Sequence, residues 1–102
     1  MINIVPEHLQ IVKDVLKKYI PNYEVRAFGS RVKDYNKTYS DLDLVIMSDQ
    51  AVAKKVLYKI EEEFSESDLP FRVEILDWQT ISENFQQIIS RKYEIVQLKS
   101  AK

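Results

Sequence analysis

The segment AFGSRVKDYNKTYSDLDLVIM, residues 27–47, contains the chain's single glycine and two aspartates that lie two residues apart. Gly29 ends a short run of aromatic and β-branched residues, which is typical of a strand, and precedes Ser30 and Arg31. Glycine usually makes up about 7% of a protein. This chain of 102 residues has only one glycine. We therefore expect Gly29 to occupy a position where a Cβ is not tolerated.

The Gly29–Ser30 turn has features that suit an anion. A backbone N–H beside glycine can approach a phosphate closely, and a helical turn that starts at Ser30 would direct its unpaired N–H groups at the same anion. The Ser30 hydroxyl adds a donor, and Arg31 adds a guanidinium suited to phosphate oxygens. A Gly-Ser pair also occurs in strand-to-helix turns that bind nothing, so the pair by itself does not establish a site.

Asp41 and Asp43 begin the strand predicted over residues 41–47. Their side chains point to the same face, because successive side chains of a strand alternate. Two like charges on one face repel each other unless a cation lies between them. Mg²⁺ suits that position, since it is commonly held by one or two carboxylates together with substrate phosphates. A solvated strand end is the alternative for an isolated pair.

A third acid, Glu74, lies within the apolar strand predicted over residues 71–76. A charge in such a strand is unfavourable if it is buried and unpaired, but it is tolerated on an exposed face or beside a bound cation. If this strand lies next to residues 41–47, Glu74 completes a three-carboxylate cluster. Asp77, which points to the opposite face of an ideal strand, is the next candidate.

Outside these motifs, the spacing of apolar residues predicts the remaining elements. Apolar residues at helical spacing predict three helices, the first beginning at Pro6 and ending before Pro21, the second over residues 53–64 and the third over residues 81–89. A strand is predicted over residues 23–28 and a helical turn over 31–33. Residues 34–40 are predicted to form a polar loop and residues 65–70 a second loop. Residues 93–98 fit either a short strand or a helix extension. This order predicts an α/β (α+β) fold, a small mixed β-sheet with helices packed against it. The length predicts a single domain over residues 1–102.

Composition excludes several classes of protein. The 15 Lys and Arg oppose 16 Asp and Glu, giving a formal net charge of −1, whereas duplex-binding proteins need a basic face. We therefore expect no extended nucleic-acid surface. The apolar runs are too short to span a bilayer, and the absence of cysteine excludes disulfides and thiolate metal sites. A cytoplasmic protein with no membrane association is expected.

Gly29-Ser30, followed after ten residues by Asp41-Leu42-Asp43 and later by an acid on another strand, resembles the G-S-x(9–13)-D-x-D signature of the DNA polymerase β-like nucleotidyltransferases. The wider motif looks most like the minimal nucleotidyltransferases (MNT), which are encoded beside HEPN-domain proteins in two-gene toxin–antitoxin modules. The resemblance extends over essentially the whole chain. Two departures are that Val32-Lys33-Asp34 stands where the group usually has A-R-G, and that the third acid is often Asp rather than Glu.

This resemblance implies a polymerase β-like fold and a set of roles. Gly29 and Ser30 would hold the triphosphate of ATP, with Arg31 matching an arginine that is frequent in the subfamily. Asp41 and Asp43 would bind two Mg²⁺ ions. The third acid, Glu74, would share one metal and help to deprotonate the acceptor.

The resemblance also implies a partner. The chain would transfer AMP to a HEPN-domain protein encoded nearby, as the antitoxin of the pair, and the two would form a hetero-oligomer. The alternative is a non-catalytic binding module that neutralises the HEPN partner by complex formation.

Overall fold

The computed structural model describes residues 2, 4–32 and 40–100. The elements in chain order are α1 (Pro6–Tyr19), β1 (Glu24–Phe28), a 3₁₀ turn (Gly29–Val32), β2 (Leu42–Met47), α2 (Lys54–Ser65), β3 (Val73–Asp77), a second 3₁₀ turn (Trp78–Thr80), α3 (Glu83–Arg91) and β4 (Glu94–Gln97). The four strands form a sheet in the order β3-β2-β1-β4. β2 and β3 are parallel, whereas β1 is antiparallel to both of its neighbours. The predicted mixed sheet with packed helices is confirmed.

The helix ends follow from local sequence. α1 begins with Pro6, which has no N–H to leave unpaired in the first turn, and Glu7 lies at the positive end of the helix dipole. α3 begins after Ser82, whose hydroxyl accepts a hydrogen bond from the backbone N–H of Phe85 at 3.1 Å. This bond satisfies one of the N–H groups that a helix leaves unpaired at its start.

The sheet is covered differently on its two faces. α1 and α2 pack on one face, where Leu42, Leu44 and Ile46 of β2 are fully buried. α3 packs on the other face, where Ile89 contacts Phe28 and Val45. The alternation along β2 therefore places Asp43 on the same face as α3.

The structure decides the segment that the sequence left open. Residues 94–97 form β4, a strand at the sheet edge that pairs with β1. The side chain of Gln97 donates hydrogen bonds to the carbonyl oxygens of Ile20 and Tyr23, at 2.8 and 2.9 Å. These contacts come from residues more than 70 positions away, so local spacing could not reveal them.

Several predicted boundaries differ from the structure by one or two residues. β1 and β2 each begin one residue later than predicted, and β3 begins two residues later. Asp41 therefore precedes β2 rather than opening it. The predicted helical turn is a 3₁₀ turn that begins at Gly29 instead of Arg31, and most of the predicted polar loop, residues 34–39, lies outside the described residues. In the described part of the chain, no helix has the length and apolar character needed to cross a bilayer.

Candidate active site

Gly29 lies directly against Asp43. Its φ of +81° is a conformation that residues with a side chain rarely adopt. A Cβ placed on Gly29 would lie 2.5 Å from Oδ2 of Asp43. The prediction that this position excludes a Cβ is confirmed, for two reasons: the backbone conformation and the approach of a carboxylate.

Asp43 is the central side chain of the candidate site. In the sheet register it lies between Phe28 of β1 and Glu74 of the parallel strand β3. Directly opposed residues of neighbouring strands point to the same face, with their Cβ atoms about 5 Å apart. The register therefore brings the carboxylates of Asp43 and Glu74 together, although 31 positions separate them in the chain.

The environment of Asp43 disfavours its charged form. Partial burial, and then the negative charges of Glu74 and Asp41, raise the pKa of Asp43 to about 6, while Arg72 opposes the rise. The ordinary value is 3.8. A carboxylate held in this way binds a proton or a cation more readily than a solvated one does. This is the electrostatic property expected of a divalent-cation ligand before the cation arrives.

Arg72 is a site residue that the sequence analysis missed. Its Nη2 lies 3.7 Å from Oε2 of Glu74, and the side chain is 73% exposed. Such an exposed ion pair contributes little to stability, but it places a positive charge beside the two carboxylates. The available signal was its position two residues before Glu74 in the strand predicted over residues 71–76, which places both side chains on the same side of the chain.

The three acids are not gathered around one point. Asp41 is exposed and precedes β2, and it acts on Asp43 only as a neighbouring charge. Within residues 4–32 and 40–100, no three acidic or histidine side chains are close enough to hold a metal ion together. Like charges separate when no cation holds them. The residues nevertheless fit Mg²⁺, because the Asp43–Glu74 pair offers oxygen ligands and the missing Cβ of Gly29 lets the turn backbone approach Asp43 closely.

The guanidinium of Arg31 is turned away from solvent. The residue is 5% exposed, and its Nε and Nη2 donate hydrogen bonds to the carbonyl oxygen of Ser40, at 3.1 and 2.9 Å. The guanidinium also stacks on the Phe71 ring, 4.3 Å from its centroid, and burial lowers the pKa of Arg31. In this arrangement Arg31 ties the Gly29 turn to the residues before β2, and its role as a phosphate ligand stays a prediction.

Asp77 lies on the opposite face of the sheet from Glu74. It is 1% exposed and pairs in register with Ile46 rather than with Asp43. Its carboxylate accepts hydrogen bonds from the Ser48 hydroxyl and from the backbone N–H groups of Val52 (2.6 Å) and Gln79 (3.1 Å). Asp77 therefore stabilises the segment that follows β2 through hydrogen bonds to Ser48 and Val52. Of the two candidate acids, Glu74 is the one that lies beside Asp43.

The Gly29 turn thus closes on Asp43 of β2, which lies beside Glu74 of β3 in a mixed four-stranded sheet. Residues 8–101 match the family model of the nucleotidyltransferase domain. The chain belongs to this family.

Relatives with known sequences and structures agree with this assignment. The chain is 49% identical over 98 residues to the probable protein adenylyltransferase MntA of Haemophilus influenzae, covering 96% of this chain and 86% of that protein. A crystal structure of a putative nucleotidyltransferase is 27% identical, with a TM-score of 0.60, and the match covers 86% of this chain and 96% of that one.

Two toxin–antitoxin complexes contain the same fold. One was crystallised with AMP-PNP and matches with a TM-score of 0.74 at 15% identity, covering 91% of this chain and 74% of that one. The other is a tri-AMPylated HEPN toxin of Shewanella oneidensis in complex with an MNT antitoxin. It matches with a TM-score of 0.68 at 16% identity, covering 88% and 69% of the two chains.

Proposed function

We propose that this chain is a Mg²⁺-dependent nucleotidyltransferase that transfers AMP from ATP to a HEPN-domain partner protein. It would act as an antitoxin, in the cytoplasm and within a hetero-oligomer. The observation that carries the proposal is the Asp43–Glu74 pair against the Cβ-free face of Gly29. The 49% identity to a probable protein adenylyltransferase supports protein as the acceptor, and the HEPN toxin complex supports the class of partner.

The site residues would bind the metal ion and the triphosphate of ATP. Asp41, Asp43 and Glu74 would hold Mg²⁺, which when bound neutralises charge on the attacking and leaving oxygens of an in-line displacement. The backbone of the Gly29–Ser30 turn would orient the triphosphate. Because burial and the negative charges of Glu74 and Asp41, which Arg72 only partly offsets, raise the pKa of Asp43, we expect a cation to bind here together with its nucleotide.

The chemical step is the transfer of AMP to a hydroxyl of the partner protein. The hydroxyl oxygen bonds to the α-phosphorus as the bond from that phosphorus to pyrophosphate breaks, and the hydroxyl proton moves to Glu74 and then to solvent. Glu74 can meet an incoming hydroxyl because its side chain is 41% exposed. Loss of such a general base usually lowers a rate by about 10²-fold or more.

Single-turnover transfer of labelled AMP to the purified partner tests this assignment. Asp43→Asn and Glu74→Gln should each reduce the transfer rate by about 10²-fold or more, and Glu74→Gln should retain more Mg·ATP binding than Asp41→Asn does. Asp68→Asn, which removes an exposed acid in the loop after α2, is the matched control and should transfer at the parent rate. A Glu74→Gln rate within about twofold of the parent would show that Glu74 is not the base.

The alternative function is a non-catalytic module that neutralises the partner by complex formation. It is favoured by one observation, namely that the described acids do not form a preassembled three-ligand site. The double variant Asp41→Asn/Asp43→Asn separates the two functions. If the complex forms and the partner stays toxic, catalysis is required; if the partner is neutralised, binding is sufficient.

A further inference from the structure

Arg31 connects the two segments that precede the parallel strands β2 and β3. Its Nε and Nη2 donate hydrogen bonds to the carbonyl oxygen of Ser40 at 3.1 and 2.9 Å, and its guanidinium stacks on the Phe71 ring, 4.3 Å from the centroid. Ser40 lies one residue before Asp41, and Phe71 lies three residues before Glu74. Arg31 itself belongs to the 3₁₀ turn that follows β1. One buried side chain therefore joins the three segments that supply the candidate active site.

The contacts of the guanidinium lie on the opposite side of the sheet from the carboxylates. Phe71 is buried in the core cluster that packs against α1 and α2, whereas Asp43 shares the α3 face with its register neighbour Phe28. The ring of His8, from α1, meets the Phe71 ring edge to face with centroids 5.9 Å apart. The surface on which the guanidinium stacks is thus itself held in place. To bind a phosphate on the α3 side, the guanidinium would have to give up its contact with this ring.

A backbone hydrogen bond continues the connection toward the acids. The N–H of Leu42, the first residue of β2, donates to the carbonyl oxygen of Arg72 at 2.9 Å. The next register pair along the two strands is Asp43 with Glu74. The spacing of these carboxylates therefore depends on how the starts of β2 and β3 are aligned, which is where Arg31 makes its contacts. Metal ligands have to be held within about 0.5 Å of their productive geometry by the groups that support them.

We propose that Arg31 is a positioning residue for the metal site, which holds the segment before β2 against the segment before β3 and so sets the spacing of the acids. The proposal rests on the proposed function, because it requires a divalent cation at Asp43 and Glu74. It differs from the phosphate-binding role that the family resemblance implies for Arg31, since Arg31 acts through Ser40 and Phe71 rather than by touching the nucleotide. Removal of a group that orients metal ligands typically weakens metal binding by about 10- to 100-fold.

Mn²⁺ binding to the nucleotide-free protein, measured by the electron paramagnetic resonance signal of the free ion, tests this role. Arg31→Gln removes a positive charge, which by electrostatics alone leaves the affinity for a cation unchanged or raises it, whereas loss of positioning should lower it by about tenfold. Arg31→Lys keeps the charge but lacks the planar fork that donates and stacks at once, so it should also lower the affinity by about tenfold.

Arg26→Gln is the matched control for these variants. Arg26 also stacks on an aromatic ring, that of Tyr93, with 4.3 Å to the centroid, and its register neighbour in β2 is Val45 rather than an acid. Its replacement removes the same charge and the same kind of stacking contact without touching the starts of β2 and β3. The Mn²⁺ affinity of Arg26→Gln should therefore stay within about twofold of the parent value or rise.

Two further measurements do not depend on a change of charge or on the metal. Phe71→Leu keeps an apolar side chain in the core but removes the ring on which the guanidinium stacks, and it should weaken Mn²⁺ binding by about two- to fivefold. Amide hydrogen exchange in EDTA reports the connection directly. The N–H of Leu42 should exchange about tenfold faster in Arg31→Lys than in the parent, while the amides that pair β1 with β4 should exchange at the parent rate.

The outcomes separate the possible roles of Arg31. Mn²⁺ affinities within about twofold of the parent in both Arg31 variants would overturn the positioning role, as would an unchanged exchange rate of the Leu42 N–H. If the Arg31 variants do not fold, an unchanged Mn²⁺ affinity in Phe71→Leu would overturn it. Weaker binding of magnesium tripolyphosphate in Arg31→Gln, with Mn²⁺ affinity unchanged, would instead make Arg31 a phosphate ligand. A parent chain that binds no Mn²⁺, alone or with ATP, would contradict the proposed function itself.

Discussion

Replacing Asp43 with asparagine should make the metal-free protein more stable although it disables the site. The carboxylate of Asp43 is partly buried beside Glu74, and its pKa is about 6 instead of 3.8. Asparagine has nearly the same shape and carries no charge. The variant thus removes the unfavourable charge of the native state while keeping the packing against Phe28 and Gly29.

The sign and size of this effect follow from proton linkage. Because the folded state binds the proton of Asp43 more tightly than the unfolded state does, stability falls as the pH rises from about 4 to about 6 and stays low above that range. A rise of the pKa to about 6 would correspond to about 3 kcal/mol for a fully buried group. Since Asp43 is partly exposed, screening by solvent reduces the expected gain to about 1–2 kcal/mol.

Urea unfolding in EDTA at pH 7.5 and at pH 4 measures this gain. Asp43→Asn should be about 1–2 kcal/mol more stable than the parent at pH 7.5 and nearly equal to it at pH 4, where the parent side chain is protonated when folded. Mg²⁺ should stabilise the parent and leave the variant unchanged. Asp68→Asn controls for the loss of an exposed charge. An unchanged or lower stability at pH 7.5, or the same gain at both pH values, would refute this reasoning.

Three further predictions follow from the same geometry. Gly29→Ala should destabilise the protein by about 1–2 kcal/mol, because alanine is strained at this φ. The variant should also lose Mg·ATP binding, because the added Cβ contacts Asp43. An affinity equal to that of the parent in calorimetry would contradict this prediction. Asp77→Ala should lower the free energy of unfolding by about 3 kcal/mol, since it leaves the buried partners of Asp77 unsatisfied, while the folded variant binds Mg·ATP normally. Finally, Mg·ATP affinity should decline as the pH falls below about 6, where Asp43 takes up a proton. In Asp43→Asn the decline should be smaller, because only the terminal phosphate of ATP still takes up a proton in that range.

Much of this protein could be predicted from short-range sequence patterns. The apolar periodicities identified α1, α2 and α3, because helical spacing is a local property. The single glycine indicated a Cβ-free position, because a chain that otherwise lacks glycine is expected to keep one where a side chain is not tolerated. The two-residue spacing of Asp41 and Asp43 placed them on one side of the chain, although β2 itself begins after Asp41.

Long-range pairing decided what local patterns left open. The parallel register of β2 and β3 brings Glu74 beside Asp43 and turns Asp77 to the opposite face. Pairing with β1 makes residues 94–97 a strand. The guanidinium of Arg31, which the fold buries, donates its hydrogen bonds to the carbonyl oxygen of Ser40. Each of these outcomes depends on a partner distant in sequence or on burial by the assembled fold. The sequence by itself determined which residues could perform the chemistry, whereas tertiary structure determined which of them meet, because strand register and solvent exclusion arise only when the chain closes on itself.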